Sequence, residues 1–284
     1  MQRRTSFLGL IQGLSKLTST TPGKVGLSLT CAFLIIAALA PWIAPYSPFV
    51  TSGPSYAVPT WSHLLGTDDI GEDIFSQLIF AARGSLLVAF GAGVLSTGIG
   101  IFVGLVSGYY AGRLGEGLMR VTDVMLVLPV LPLLIVIAAF FPPSVWLVIV
   151  VIGIVSWAPT ARVIRSQTLS LKARPFVDSC RLSGMSDFEV MFRVLLRNEI
   201  PLIIVYGVYT AITAVVLESA LDFIGLGSVE NLSWGVMLYF ALARNALARG
   251  SWWWFLPPGF LIALLGTGLI LTGYAVERVS RTGL

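Results

Sequence analysis

The sequence predicts an all-α membrane protein of six transmembrane helices with both termini on the cytoplasmic side. Three observations carry this. Of 284 residues, 56% are hydrophobic and only 11% charged, where a soluble domain carries about a quarter charged residues. Six apolar stretches, roughly 25–44, 83–110, 117–141, 144–164, 200–221 and 253–275, reach the ~20 residues needed to cross a bilayer core. The basic residues are also distributed asymmetrically. With the N-terminus inside, fifteen Lys and Arg fall in inner segments and only Arg83, Arg244 and Arg249 in outer ones, as expected when cytoplasmic loops retain positive charge.

Residues 1–24 form an inner segment with Arg3, Arg4, Lys16 and Lys24, and 25–284 form the membrane domain. The first apolar run ends Ala38-Leu39-Ala40, like a signal-peptide cleavage site. Its length and the following Pro41 favour a retained span. The outer segment 45–82 has acidic Asp68, Asp69, Glu72 and Asp73 and several prolines, and is expected to form an ordered, irregular external cap. Span two carries Gly100, Gly104, Gly108 and Gly112 four residues apart. Such a stripe lets another backbone approach closely, serving packing inside the chain or contact with another subunit equally well. Pro129 and Pro132 are expected to kink span three, and Pro142-Pro143-Ser144 to make a tight turn to span four. Trp234 and Trp252 to Trp254 lie in the outer segment 222–252, the last three expected at the membrane boundary.

Intramembrane charges mark ion or proton paths because burying one costs about 3 kcal/mol or more on insertion scales. Asp123 lies one turn from Arg120, a spacing that allows pairing on one helix face. Glu218 lies at the outer end of span five. Both read more readily as interfacial charges than as parts of a path. His63, the only histidine, lies in the outer loop, and Cys31 and Cys180 are about 150 residues apart. This excludes a metal-ligand cluster and a disulfide framework. Basic residues form no block of the kind a nucleic-acid partner requires. There is no Ser/His/Asp set, and Gly23-Lys24 lacks the rest of a phosphate-cradling loop. No cofactor site, no enzyme activity and no ATP site are expected in this chain.

The inner stretch 165–200 is too long and patterned for a simple turn. Val177, Cys180, Gly184, Phe188, Met191 and Leu195 recur every three or four residues, placing them on one helical face. Gly184 interrupts the pattern, and Ser186-Asp187 offers an N-cap for a second helix. Two short helices meeting at a glycine, with an apolar face to bury, suit a lever gripped by another protein.

At this loop the chain resembles permease subunits of ABC importers of the dipeptide/oligopeptide/nickel type. That family carries Glu-Ala-Ala, a glycine four residues after the last Ala and an Ile-Leu-Pro-Asn-like end; the corresponding residues are Asp178-Ser179-Cys180, Gly184 and Leu195-Leu196-Arg197-Asn198. The resemblance extends through His63-Leu64-Leu65-Gly66-Thr67-Asp68-Asp69-Ile70-Gly71, Ala82-Arg83-Gly84-Ser85-Leu86-Leu87, Met119-Arg120-Val121-Thr122-Asp123 and Ser170-Leu171-Lys172. It continues in Phe223-Ile224-Gly225-Leu226-Gly227 and Ser233-Trp234-Gly235-Val236-Met237-Leu238.

Departures are Asp178 for the usual glutamate, Arg197 for the usual proline, and Glu72 and Gln77 where the family tends to have arginines. The stretch 228–232 is a residue short and lacks the family's prolines. Arginine at 197 lets the second loop helix continue to Asn198, with Pro201 supplying the break.

The resemblance implies a type I importer permease fold in the cell's inner membrane and a path shared with a second, related permease. It also implies two cytoplasmic ATPase subunits holding ATP and magnesium, and an external substrate-binding protein. It assigns ATPase coupling to Val177, Asp178, Ser179, Cys180, Arg181, Leu182, Ser183, Gly184, Met185 and Asp187. The expected cargo is a short peptide first, then an oligosaccharide, then a metal chelate. The rival readings are a gradient-driven secondary carrier, which matching broken helices would favour, and a membrane scaffold.

Overall fold

A computed structural model describes residues 20–281 apart from Ala111 and Val229; Arg3, Arg4 and Lys16 lie outside the described residues. The chain forms helices α1 (Thr21–Ile43), α2 (Ile74–Tyr109), α3 (Arg113–Val127), α4 (Val130–Phe140), α5 (Val145–Val155) and α6 (Ala158–Lys172). They are followed by α7 (Pro175–Leu182), the single turn α8 (Asp187–Glu189), a π-helical segment (Val190–Leu195), α9 (Leu196–Phe223), α10 (Trp234–Ala243) and α11 (Trp252–Arg281). Among the described residues, four continuous helices are long and apolar enough to cross a membrane, and six spans result if each of two bent pairs counts as one.

α2 is the central column, packed against α1, α5, α6 and α9. It runs for 36 residues because no proline interrupts it. The Asp73 carboxylate caps its start by accepting from the Ser76 amide at 2.8 Å. It therefore begins nine residues before the apolar stretch, and the irregular cap expected on the outer side ends at residue 73 rather than 82. Within that cap, His63 Nδ1 sits 2.9 Å from Asp73 Oδ1, and both side chains are buried.

Span three is broken more severely than a kink. α3 and α4 meet at 86° across Leu128-Pro129, because the residue before a proline is pushed out of the helical region. α5 and α6 form span four with a bend of 41°, and Pro159 sits in the first turn of α6, where its missing N–H is harmless. The α5–α6 pair continues as helix to Lys172, so the stretch expected to form the inner loop is shorter and more helical than its composition implies.

The helix from Asp187 runs unbroken to Phe223. It passes through Arg197 and Asn198 as expected, but Pro201 lies inside it without ending it. The irregularity sits upstream, in the wide π turns of 190–195. The segment 222–252, expected on the outer side, holds a further helix, α10. Trp234 is fully buried, and its Nε1 donates to the Leu78 carbonyl at 3.1 Å. Trp254 is buried too, its ring 6.1 Å from that of Tyr56, so only Trp252 of the expected boundary tryptophans is exposed.

Candidate functional site at the lever between α6 and α9

The lever is built locally. Pro175 starts α7, and α7 ends at Gly184, whose φ of +85° is the left-handed conformation that a side chain disfavours. The Gly184 amide bonds the Arg181 carbonyl at 2.9 Å and the Met185 amide bonds the Cys180 carbonyl at 3.2 Å, the paired reversed bonds that commonly terminate helices. A carbon added at Gly184 would have nothing within 4 Å, so backbone angle, not close approach, requires the glycine. Ser186 then caps α8 through a reciprocal pairing with Glu189.

The expected apolar face is divided. Val177, Val190, Met191 and Leu195 are buried against Leu105, Tyr109, Ile164 and Leu171 of the same chain, and Cys180 and Met185 pack beside them. Phe188, expected on that face, is 66% exposed and rests on Phe192, ring centroids 4.6 Å apart. The π segment accounts for this: each turn there holds more residues than an α turn, so residues before Val190 are rotated off the face that a 3.6-residue period assigns. Contrary to expectation, most of the face is covered by the chain itself and needs no external partner. What the lever leaves uncovered is Leu182, 90% exposed, with Phe176 and Phe188.

Asp178 projects to solvent with Arg181 Nη1 3.7 Å away. Ser179 Oγ donates to the Pro175 carbonyl at 3.2 Å and Ser183 Oγ to the Ser179 carbonyl at 2.9 Å, which hold both hydroxyls to their own helix.

Three glycines of the stripe pack inside the chain. A carbon at Gly100, Gly104 or Gly108 would lie 2.6, 2.6 and 2.7 Å from the Cβ atoms of Thr160, Ile164 and Thr168 respectively, so α2 and α6 interlock one residue per turn. Gly112 does not belong to this face. It has φ +89° and open space around it, and it turns the chain between α2 and α3.

Asp123 pairs with Arg162 across α3 and α6 instead of with Arg120, because the cross-helix guanidinium reaches it directly. Glu218 is buried inside the protein, beside Val88 of α2, Val145 and Val148 of α5 and Ser228 after α9, and its Oε2 has no hydrogen-bond partner. Asp222, one turn later and also buried, accepts from Ser233 Oγ at 2.5 Å. Glu199 is likewise buried, accepting from Thr168 Oγ1 at 2.8 Å. Sequence reasoning missed Asp222 and Glu199, although Asp222 stands at the i+4 position from Glu218. In the cap before α2, burial pushes the Asp68 carboxyl above its ordinary 3.8 despite accepting from the Glu72 and Ile70 amides and the Gln77 side chain. Burial, reinforced by neighbouring Asp68, also pushes Glu72 above its ordinary 4.5. Among the described residues no group of three or more metal-ligating side chains occurs.

An apolar groove of about 410 Å³ opens between α2, α9 and α11, floored by Gly93, Thr97, Gly98 and Gly207.

Residues 100–280 match the model of the family described as binding-protein-dependent transport system inner membrane component. The chain is 35% identical to the di/tripeptide transport system permease protein of Pseudomonas aeruginosa, over 88% of this chain and 85% of that protein. It is 33% identical to the oligopeptide transport system permease protein of Lactococcus lactis subsp. cremoris, over 79% and 77%. It is 32% identical to the dipeptide transport system permease protein of Bacillus subtilis, over 86% and 78%. On this match and these identities, the chain belongs to the inner-membrane permease components of binding-protein-dependent transport systems.

Proposed function

We propose that this permease forms half of the path of an ATP-driven importer for short peptides, with a second, related permease supplying the other half. Two ATPase subunits carrying ATP and magnesium drive it from the cytoplasm, and an external binding protein delivers the cargo. Both termini lie in the cytoplasm, following the asymmetry of Lys and Arg.

The observation that carries this reading is the lever. A chain without a nucleotide-binding motif receives work through a surface, and α7 and α8 present exposed Leu182, Phe188 and Asp178 beside a sharply defined turn at Gly184. An apolar contact edged by a carboxylate fits a partner surface carrying an arginine, and breaking such a desolvated pair costs about 2–5 kcal/mol. ATP-driven closure of the ATPases pulls the lever and exchanges inward-open for outward-open arrangements. Coupling comes from contacts that differ between the two states. The peptide assignment rests on the names of the relatives, and the open groove between α2 and α9 is in keeping with a path completed by a second subunit.

The test is reconstitution of the whole importer in sealed vesicles. Asp178→Arg and Gly184→Val are expected to abolish ATP-driven uptake of a labelled tripeptide and cargo-stimulated ATP hydrolysis while the chain remains inserted. Normal transport by both variants would overturn the lever's role. Tripeptide uptake that persists without ATP but collapses with the ion gradient would make the chain a secondary carrier.

A further inference from the structure

Tyr109, the last residue of α2, is where four elements meet. Its hydroxyl donates to the Asp187 carboxylate at the start of α8 and accepts from Arg181 Nη2 in α7 at 3.1 Å. Lys172, at the end of α6, donates to the Tyr109 carbonyl at 2.6 Å, and its Nζ lies 5.1 Å from the centre of the Tyr109 ring. The Arg181 guanidinium stands 5.4 Å from the same ring, within range of a cation–π contact. The side chain is 2% exposed and packs in the cluster with Leu105, Val177 and Met191.

The two hydroxyl partners lie on opposite sides of the Gly184 turn. Arg181 belongs to the arm before it and Asp187 to the arm after it, so one phenol bridges both arms across a glycine with φ +85° and open space on its Cβ side. A neutral phenol suits this place because it gives one hydrogen bond to an anion while receiving one from a cation. The ring and carbonyl then tie the bridge to α2, which is interlocked with α6.

We propose that Tyr109 is a positioning residue that fixes the angle between the two arms of the lever and joins them to α2, so that displacement of the lever moves the α2–α6 pair. The proposal rests on the coupling role of the lever. Without the hydroxyl the arms pivot at Gly184 and the ATPases cycle without moving the bundle.

The experiment uses the complete importer in vesicles with Tyr109→Phe, which keeps the ring and its cation contacts, and Asp187→Asn, which alters an exposed partner. Each is expected to lower labelled tripeptide transported per ATP hydrolysed by about tenfold. The double variant should be no worse than either single one, because contacting residues in one network are non-additive, and Asp187→Glu should restore coupling. A second readout needs no transport: spin labels at Leu182 and Gly117, with Cys31 and Cys180 replaced by serine, should give a broader distance distribution in Tyr109→Phe. A normal transport-to-hydrolysis ratio and a normal distance distribution in Tyr109→Phe would overturn the proposal. Gly184→Val separates the two levels. If it abolishes transport while Tyr109→Phe is normal, only the bridge fails; if both are normal, the lever reading itself fails. Should Tyr109→Phe not assemble, Asp187→Asn decides the outcome by the same ratio.

Discussion

Gly104 and Ile164 touch so closely that a carbon added to the glycine would lie 2.6 Å from the isoleucine Cβ. The contact is one of three equivalent ones between α2 and α6, each a glycine against a β-branched residue. Gly104→Val is therefore expected to destabilise the subunit by about 1–3 kcal/mol, the cost of overpacking a filled interface. Gly98→Ala on the same helix, with nothing within 4 Å, should be tolerated. Thermal unfolding of the two purified variants checks the contrast.

The Asp123–Arg162 pair is expected to contribute little. Both side chains are more than half exposed, and exposed ion pairs are worth about 0–1 kcal/mol. Asp123→Asn should shift the unfolding temperature by no more than a degree or two, and transport should persist. A large loss of uptake with unchanged stability would instead place Asp123 on the path.

The cap before α2 should tighten on acidification. Asp68 and Glu72 are raised above their ordinary 3.8 and 4.5 by burial, so protonation is favoured in the folded cap. Their contribution to stability is fully present below those ordinary values and is lost as pH rises through the folded values. Glu72→Gln should therefore flatten the acid side of the profile and leave the cap more protease-resistant at neutral pH. Limited proteolysis of wild type and variant from pH 4 to 7 reads this directly.

Trp234 anchors α10 to α2. It is fully buried, and its Nε1 donates to the Leu78 carbonyl. Trp234→Ala should cost about 3–5 kcal/mol, as truncation of large buried aromatics does. Trp234→Phe should cost less, because the ring packing remains and only the hydrogen bond is lost. Unfolding of both variants in detergent tests the ordering.

Much of this was legible in the residues. Apolar length located the spans, and the glycine at 184 with Ser186-Asp187 located the lever's turn and cap, because both signals are local. Features set by distant partners were hidden. Gly100 to Gly112 look alike in sequence, but only three of them face α6; the fourth turns the chain. Asp123 has a basic residue one turn away, yet a nearer one comes from another helix. Phe188 obeys the α period and escapes it because the π segment intervenes, and nothing in Val190 to Leu195 announces that segment. Tyr109 sits at the end of an apolar run where a tyrosine is unremarked; its importance comes from Lys172, Arg181 and Asp187, all more than sixty residues away.

The helix from Asp187 to Phe223 spans roughly 55 Å at 1.5 Å per residue, more than the thickness of the bilayer's hydrocarbon core. One end carries the lever's second arm and the other carries Glu218 and Asp222, so both belong to one continuous helix. A tilt of about 10° around its midpoint displaces each tip by roughly 5 Å in opposite directions, by the same helix dimensions. Were the helix to tilt as one body, a displacement of Phe188 at one end would be matched by an opposite displacement of the Asp222–Ser233 contact at the other, without a chain of intermediate side chains to relay it.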